Sequence, residues 1–138
     1  MTEYPRLLHT AIDTTDPRRL AEFYRQLLGL EYRPGDEPPP PGEPDPNGRE
    51  WLVLRRNGAS ALAFQQVAQL PVATWPEGPV PQQLHLDCTV PDTAELTVQH
   101  ERALALGATW LLDRFDDDDE PLYVYADPSG HPFCIFVG

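Results

Sequence analysis

Two histidines sit at matching places in two matching stretches. Leu8-His9 opens LHTAIDTTD (8–16) and Leu84-His85 opens LHLDCTVPD (84–92), and in both an Asp follows the His by seven positions, as Asp16 and Asp92. An imidazole can serve as a general base, a proton donor or a metal ligand near neutral pH. Strand side chains alternate between faces, so His85, Asp87 and Thr89 share one face while Leu84, Leu86 and Cys88 share the other. A histidine beside a carboxylate has the make-up of a base and the neighbour that orients it. Residues two apart on a strand lie about 7 Å apart, so the strand alone does not dictate contact between His85 and Asp87.

The elements that must hold these residues repeat. After each strand an Asp opens a helix, and each helix ends in a leucine-rich turn with Gly, LLGL at 27–30 and LALGA at 104–108. Asp16 caps, Pro17 is suited to the first helical position, and Leu20, Phe23, Tyr24 and Leu27 recur at helical spacing. The first half reads as strand 7–13, the helix, strand 31–33, strand 51–56, an Asn57-Gly58 hairpin turn and strand 61–67. The second half reads as strand 84–90, a helix from Asp92 to about 106, and strands 109–115, 122–126 and 132–137. Its helix has the weaker apolar face, and His100 beside that face is expected to be a boundary residue without chemistry. Two segments lie outside the repeat. The proline-dense stretch 35–48 is expected to be a surface insertion rather than a flap, and the acidic run 116–120 a solvated loop. The fold class implied is α+β: two tandem βαβββ modules forming a curved mixed sheet around a cleft. They make one domain over 1–138, with module one at 1–70, a Pro-rich linker at 71–83 carrying Trp75, and module two at 84–138.

Composition narrows the function. The net charge is −12 and the sequence pI about 4.5, a balance that repels phosphate backbones and anionic membrane surfaces. All ten basic residues are Arg, so no lysine Schiff base, lysine general base or P-loop lysine can exist in this sequence. The two cysteines, Cys88 and Cys134, lie in strand patterns and read as reduced thiols. With no apolar run of membrane length and no signal-peptide core at its start, the chain is expected to be soluble and cytoplasmic.

The segments PRLLHTAIDTTDPRRLAEFYRQLLGL, QLHLDCTVPD, LALGA and YADPSGHPFCIFV resemble the glyoxalase/bleomycin-resistance/extradiol-dioxygenase superfamily, also called vicinal oxygen chelate. In metal-using members, four cavity-facing positions hold the ion, one from the first and one from the last strand of each module. The resemblance puts the first-strand ligands on His9 and His85 and the last-strand carboxylates on Phe64 and Cys134. Phe64 offers no donor and Gln66, on its face, only a weak one. The implied metal set is therefore His9 and His85 alone, and no cofactor is expected, with a divalent metal as the alternative. His9, Phe64, Gln66, His85, Asp87 and Cys134, with Tyr123 or Tyr125 beside them, would then line a pocket for a small organic ligand in the cleft between the modules. Bleomycin-resistance proteins sequester a drug in this manner. The alternative implied by the resemblance is a metal-dependent lyase, isomerase or dioxygenase using His9 and His85. A homodimer is likewise implied, with no nucleic-acid or membrane partner.

Overall fold

Each of the two helices starts on an Asp side chain. Asp16 Oδ1 accepts from Arg19 N at 3.2 Å and Asp92 Oδ1 accepts from Glu95 N at 2.8 Å. Such caps stabilise a helix by about 1 kcal/mol each. Both helices end on a glycine in the left-handed region, Gly29 (φ 65°) and Gly107 (φ 115°), where a side chain would be strained. The computed structural model describes residues 4–138. It divides into two units, 1–70 and 71–138.

The first unit comprises β1 (Thr10–Thr14), α1 (Pro17–Leu28), β2 (Glu31–Tyr32), β3 (Trp51–Arg56) and β4 (Ala59–Gln66). Its sheet runs β1-β4-β3-β2, with β1 parallel to β4 and the other pairs antiparallel. Leu20, Ala21, Phe23, Tyr24 and Leu27 on α1 are buried, as their spacing predicts. They cover the face of the sheet that carries Ile12, Leu52, Leu54 and Phe64. Full burial of each large apolar side chain contributes about 1.5–3 kcal/mol. Asn57 (φ 51°) and Gly58 (φ 81°) both take positive φ, the conformation a two-residue hairpin needs.

The second unit comprises β5 (Leu86–Val90), α2 (Thr93–Leu106), β6 (Thr109–Arg114), β7 (Leu122–Ala126) and β8 (Pro132–Val137). Its strand order, β5-β8-β7-β6, repeats that of the first unit, again with the first and last strands parallel. The architecture is α+β with two tandem βαβββ units, as the repeat in the sequence implies. Among the described residues no helix is long and apolar enough to cross a membrane.

Strand starts differ from expectation. β1 begins at Thr10 rather than at 7, and Leu7 and Leu8 are exposed; β5 begins at Leu86 and Leu84 is exposed. The apolar character of these leucines suggests strand, but none of the three is paired in its unit's sheet among the described residues. The stretch 35–48 is tied down rather than loose. Arg18 on α1 donates to both Asp45 carboxylate oxygens, at 2.8 and 2.9 Å, and to the Asp36 carbonyl at 2.7 Å. A short 3-10 turn, Asn47–Arg49, closes the segment. The Asp36 carboxylate is buried, accepts from Val53 N at 2.9 Å and pairs with Arg33 at 3.0 Å. Arg33 N donates to Val53 O at 2.9 Å, so Arg33 and Asp36 continue the pairing of β3 after β2 has ended.

Candidate functional site

In the first unit α1 covers one sheet face and leaves the other free of helix. Phe64 is fully buried with its ring 6.0 Å from that of Tyr24 on α1, so it lies on the helix side. This corrects the expectation that Phe64 faces a ligand. Gln66 shares the parity of Phe64, is exposed at the end of β4, and leaves the expected pocket set with it. The register explains the error. Ala11 pairs with Ala63 in the first unit where Asp87 pairs with Cys134 in the second. The position equivalent to Cys134 is therefore Ala63, and a shift of one residue moves a side chain to the other face.

His9 precedes β1, with its Nδ1 2.6 Å from Ser60 Oγ and its ring centre 5.9 Å from that of Trp51. Ser60 reaches this side because the β3–β4 pairing slips: Leu54 opposes Leu62, but Arg55 opposes Ser60. Ala61 is the extra residue of a bulge, and an extra residue reverses the alternation beyond it.

In the second unit the side free of helix carries Asp87 and Cys134 as lateral neighbours. Cys134 Sγ–H donates to Asp87 Oδ1 at 2.7 Å, and His85 Nε2 lies 3.2 Å from the same oxygen. His85 reaches its neighbour because it stands just ahead of β5, outside the strand's fixed spacing. The three groups thus come together, with His85 and Asp87 about half exposed, at 48% and 56% of their side chains. Burial, and then the hydrogen bond to Asp87, push the Cys134 thiol up to about 12. It is a protonated donor at neutral pH.

Beside this cluster lies a cavity of about 130 Å³. Trp75, Val124, Pro132 and Phe133 give it a mainly apolar wall, which His85, Cys134 and Gln82 complete. Gln82 Oε1 is buried with no hydrogen-bond partner among the described residues. An unmet buried acceptor costs about 1–3 kcal/mol. Sequence reasoning missed Gln82, which sits in the connector where no periodicity assigns a face. Trp75, the one large aromatic in that Pro-rich stretch, was the available signal.

Tyr123 and Tyr125 do not line this side. Tyr125 Oη lies 2.7 Å from His100 Nδ1 on α2, and the His100 ring stacks on Tyr123 at 4.1 Å and meets Trp110 edge-on at 4.7 Å. Both tyrosines are therefore on the helix side, and this ring cluster anchors a helix that buries only Leu96 and Ala103. Cys88, also facing the helix, is pushed up to about 11 by burial. His100 is a packing residue, in keeping with its place beside the apolar face of α2.

The donor set fits a hard divalent ion poorly. Such ions favour carboxylate oxygens, and catalytic sites supply three protein ligands beside an open position. Of the four positions, with Ala63 taking the place of Phe64 by register, His9 and His85 bring imidazoles, Ala63 brings nothing and Cys134 brings a thiol that must first lose its proton. Among the described residues no group of three or more His, Cys, Asp and Glu is arranged to hold a metal ion.

The family model of the glyoxalase-like domain matches residues 9–136. No protein of curated function matches the chain. Among solved structures, the fosfomycin resistance protein FosX from Listeria monocytogenes, complexed with Mn(II) and sulfate, is similar at 14% identity and a TM-score of 0.65. The match covers 100% of this chain and 94% of that one. A glyoxalase/bleomycin resistance protein/dioxygenase family enzyme from Burkholderia phytofirmans is similar at 18% identity and a TM-score of 0.66, over 94% of this chain and 96% of that one. Lactoylglutathione lyase from Agrobacterium tumefaciens is similar at 19% identity and a TM-score of 0.60, over 99% and 96%. At such identities the structures speak for the fold, and the family match speaks for the lineage: this chain belongs to the glyoxalase-like domain family, within the vicinal oxygen chelate superfamily.

Proposed function

We propose that this protein is a glyoxalase-like small-molecule-binding domain that works without a complete metal site. Its ligand contacts would be on the helix-free side of the second unit, where His85 and Cys134, both in contact with Asp87, line the cavity. The observation that carries this reading is the Cys134 thiol. It stands at a position where the family places a metal-binding carboxylate, and its proton is committed to Asp87 Oδ1 at 2.7 Å. A small cavity with mostly apolar walls and a few polar groups is the usual make-up of a site for an organic ligand. A homodimer in the cytoplasm belongs to the same proposal, by resemblance; light scattering on the purified protein checks the first, and fractionation of cells the second.

Calorimetric titration of the metal-stripped protein with Zn(II), Mn(II), Ni(II) and Fe(II) tests the reading. The expected result is no tight stoichiometric uptake of any of them. Binding of one equivalent in the submicromolar range would sink it. That outcome would favour a metal-dependent lyase, isomerase or dioxygenase, the reading to which the Mn(II) in FosX lends support. In that case His9→Ala and His85→Ala should each abolish uptake.

A further inference from the structure

Gln82 Oε1 is a buried acceptor without a donor among the described residues, set in the wall of the cavity in the second unit. Native structures rarely leave such an atom unmet, so what meets it needs a physical account. The other polar side chains of the wall, His85 and Cys134, both contact Asp87 behind it. Cys134 Sγ–H is spent on Asp87 Oδ1, and His85 Nε2 lies against that same oxygen. The rest of the wall, Trp75, Val124, Pro132 and Phe133, brings no side-chain acceptor. The cavity therefore asks for an apolar body that carries a hydrogen-bond donor.

Size limits that body. A cavity of about 150 Å³ takes up benzene. The volume of about 130 Å³ is of the order of one six-membered ring rather than a fused pair. We infer that the cavity binds a monocyclic aromatic ring bearing one O–H or N–H, such as a phenol or an aniline, which donates to Gln82 Oε1. The ring, or a ring-bearing part of a larger ligand, is held against the apolar wall, and Gln82 selects donors over acceptors. This rests on the small-molecule reading above and names the ligand class for it.

The test is an NMR titration of the metal-free protein, in chelator, with phenol, aniline, anisole, benzaldehyde and 2-naphthol. The Trp75 indole and the Gln82 side-chain amide report binding. Phenol and aniline should give saturable shifts at both groups and bind about tenfold more tightly than anisole or benzaldehyde, roughly the value of one retained hydrogen bond. In Gln82→Leu that preference should vanish while anisole still binds, which separates loss of the acceptor from loss of the fold. Equal binding of phenol and anisole by the wild type, stronger binding of benzaldehyde, or 2-naphthol matching phenol would each overturn the inference. No response to any ring compound would also overturn it, and a water on Gln82 would then account for the acceptor. Metal uptake is read separately, in the calorimeter without chelator, so failure of the broader reading is distinguishable from failure of this one.

Discussion

Replacing Asp87 by Ala should make the Cys134 thiol react faster with iodoacetamide. In the wild type that thiol is pushed up to about 12 from a reference of 9.0, by burial first and by the hydrogen bond to Asp87 second. Alkylation proceeds through the thiolate, so its rate follows the ionised fraction. At about pH 8 that fraction is about 1 in 10,000 for a thiol at 12, against about 1 in 10 for one at 9. A hydrogen bond to a charged acceptor contributes about 1.5–3 kcal/mol. At 1.36 kcal/mol per unit this is about one to two units. Asp87 is 56% exposed, and solvent screening argues for the lower figure, about one unit. The expected result is a roughly tenfold faster reaction at Cys134 in Asp87→Ala, with the burial part of the shift still in place. Asp87→Asn keeps the shape and a neutral acceptor and should fall between the two. Mass spectrometry of labelled peptides over time separates Cys134 from Cys88 without further mutation. Equal rates in wild type and Asp87→Ala, or a wild-type rate matching that of free cysteine, would refute the reasoning.

Two further predictions concern stability. Asp36→Ala strands the buried Val53 N–H and leaves Arg33 without its partner, and should cost about 2–3 kcal/mol in urea melts. Asp36→Asn keeps an acceptor for Val53 and should cost about 1 kcal/mol. A loss under about 0.5 kcal/mol for the alanine variant would mean that Asp36 does not serve as a stand-in for a strand carbonyl. Alkali should also weaken the fold. Both thiols are raised in the folded state, Cys88 to about 11 and Cys134 to about 12, so the unfolded chain ionises first. Their contribution is whole below about pH 9 and is lost as the pH climbs toward 12. A Cys88→Ala/Cys134→Ala variant should lose less stability than the wild type between about pH 8 and 10.5, and an unchanged slope would contradict the assignment.

How much of this was legible in the sequence depends on which force sets each feature. The helices, the three strands starting at Trp51, Leu122 and Pro132, and the hairpin turn at Asn57-Gly58 follow from local spacing and turn chemistry, and these appear where that chemistry puts them. The pairing of His85 with Asp87 was suggested by alternation but needed the strand to begin two residues later, at Leu86, to become a contact. Phe64 was misplaced because lateral register is set between strands that lie far apart in the chain, and a one-residue error exchanges faces. Tyr123 and Tyr125 were misplaced because α2 buries few residues of its own, which hid the ring cluster that draws both tyrosines toward His100. Gln82 had no periodic signal at all. The Pro-rich stretch announced itself as a loop, but the anchors that fix it, the Arg18–Asp45 ion pair and the hydrogen bond from Val53 N to Asp36, join residues whose pairing no local pattern encodes.

The duplication makes the chemical asymmetry readable. Equivalent positions share strand order and register, yet Ala11 stands where the second unit has Asp87, and Ala63 where it has Cys134. A pair of alanines can shape a wall but can neither donate, accept nor coordinate. His9 compensates locally through a bulge: the extra residue Ala61 turns Ser60 toward it, and the hydroxyl takes its Nδ1. No register shift interrupts the β7–β8 pairing, and His85 is held by a carboxylate that also receives a thiol proton. One imidazole is thus fixed by a neutral hydroxyl and the other by a charged group shared with Cys134. The imidazole held by a charged group is therefore the one beside the cavity, in whose wall Gln82 Oε1 has no partner among the described residues. The two units therefore present different chemistry on one scaffold, alanines at 11 and 63 in the first and a carboxylate and a thiol at 87 and 134 in the second.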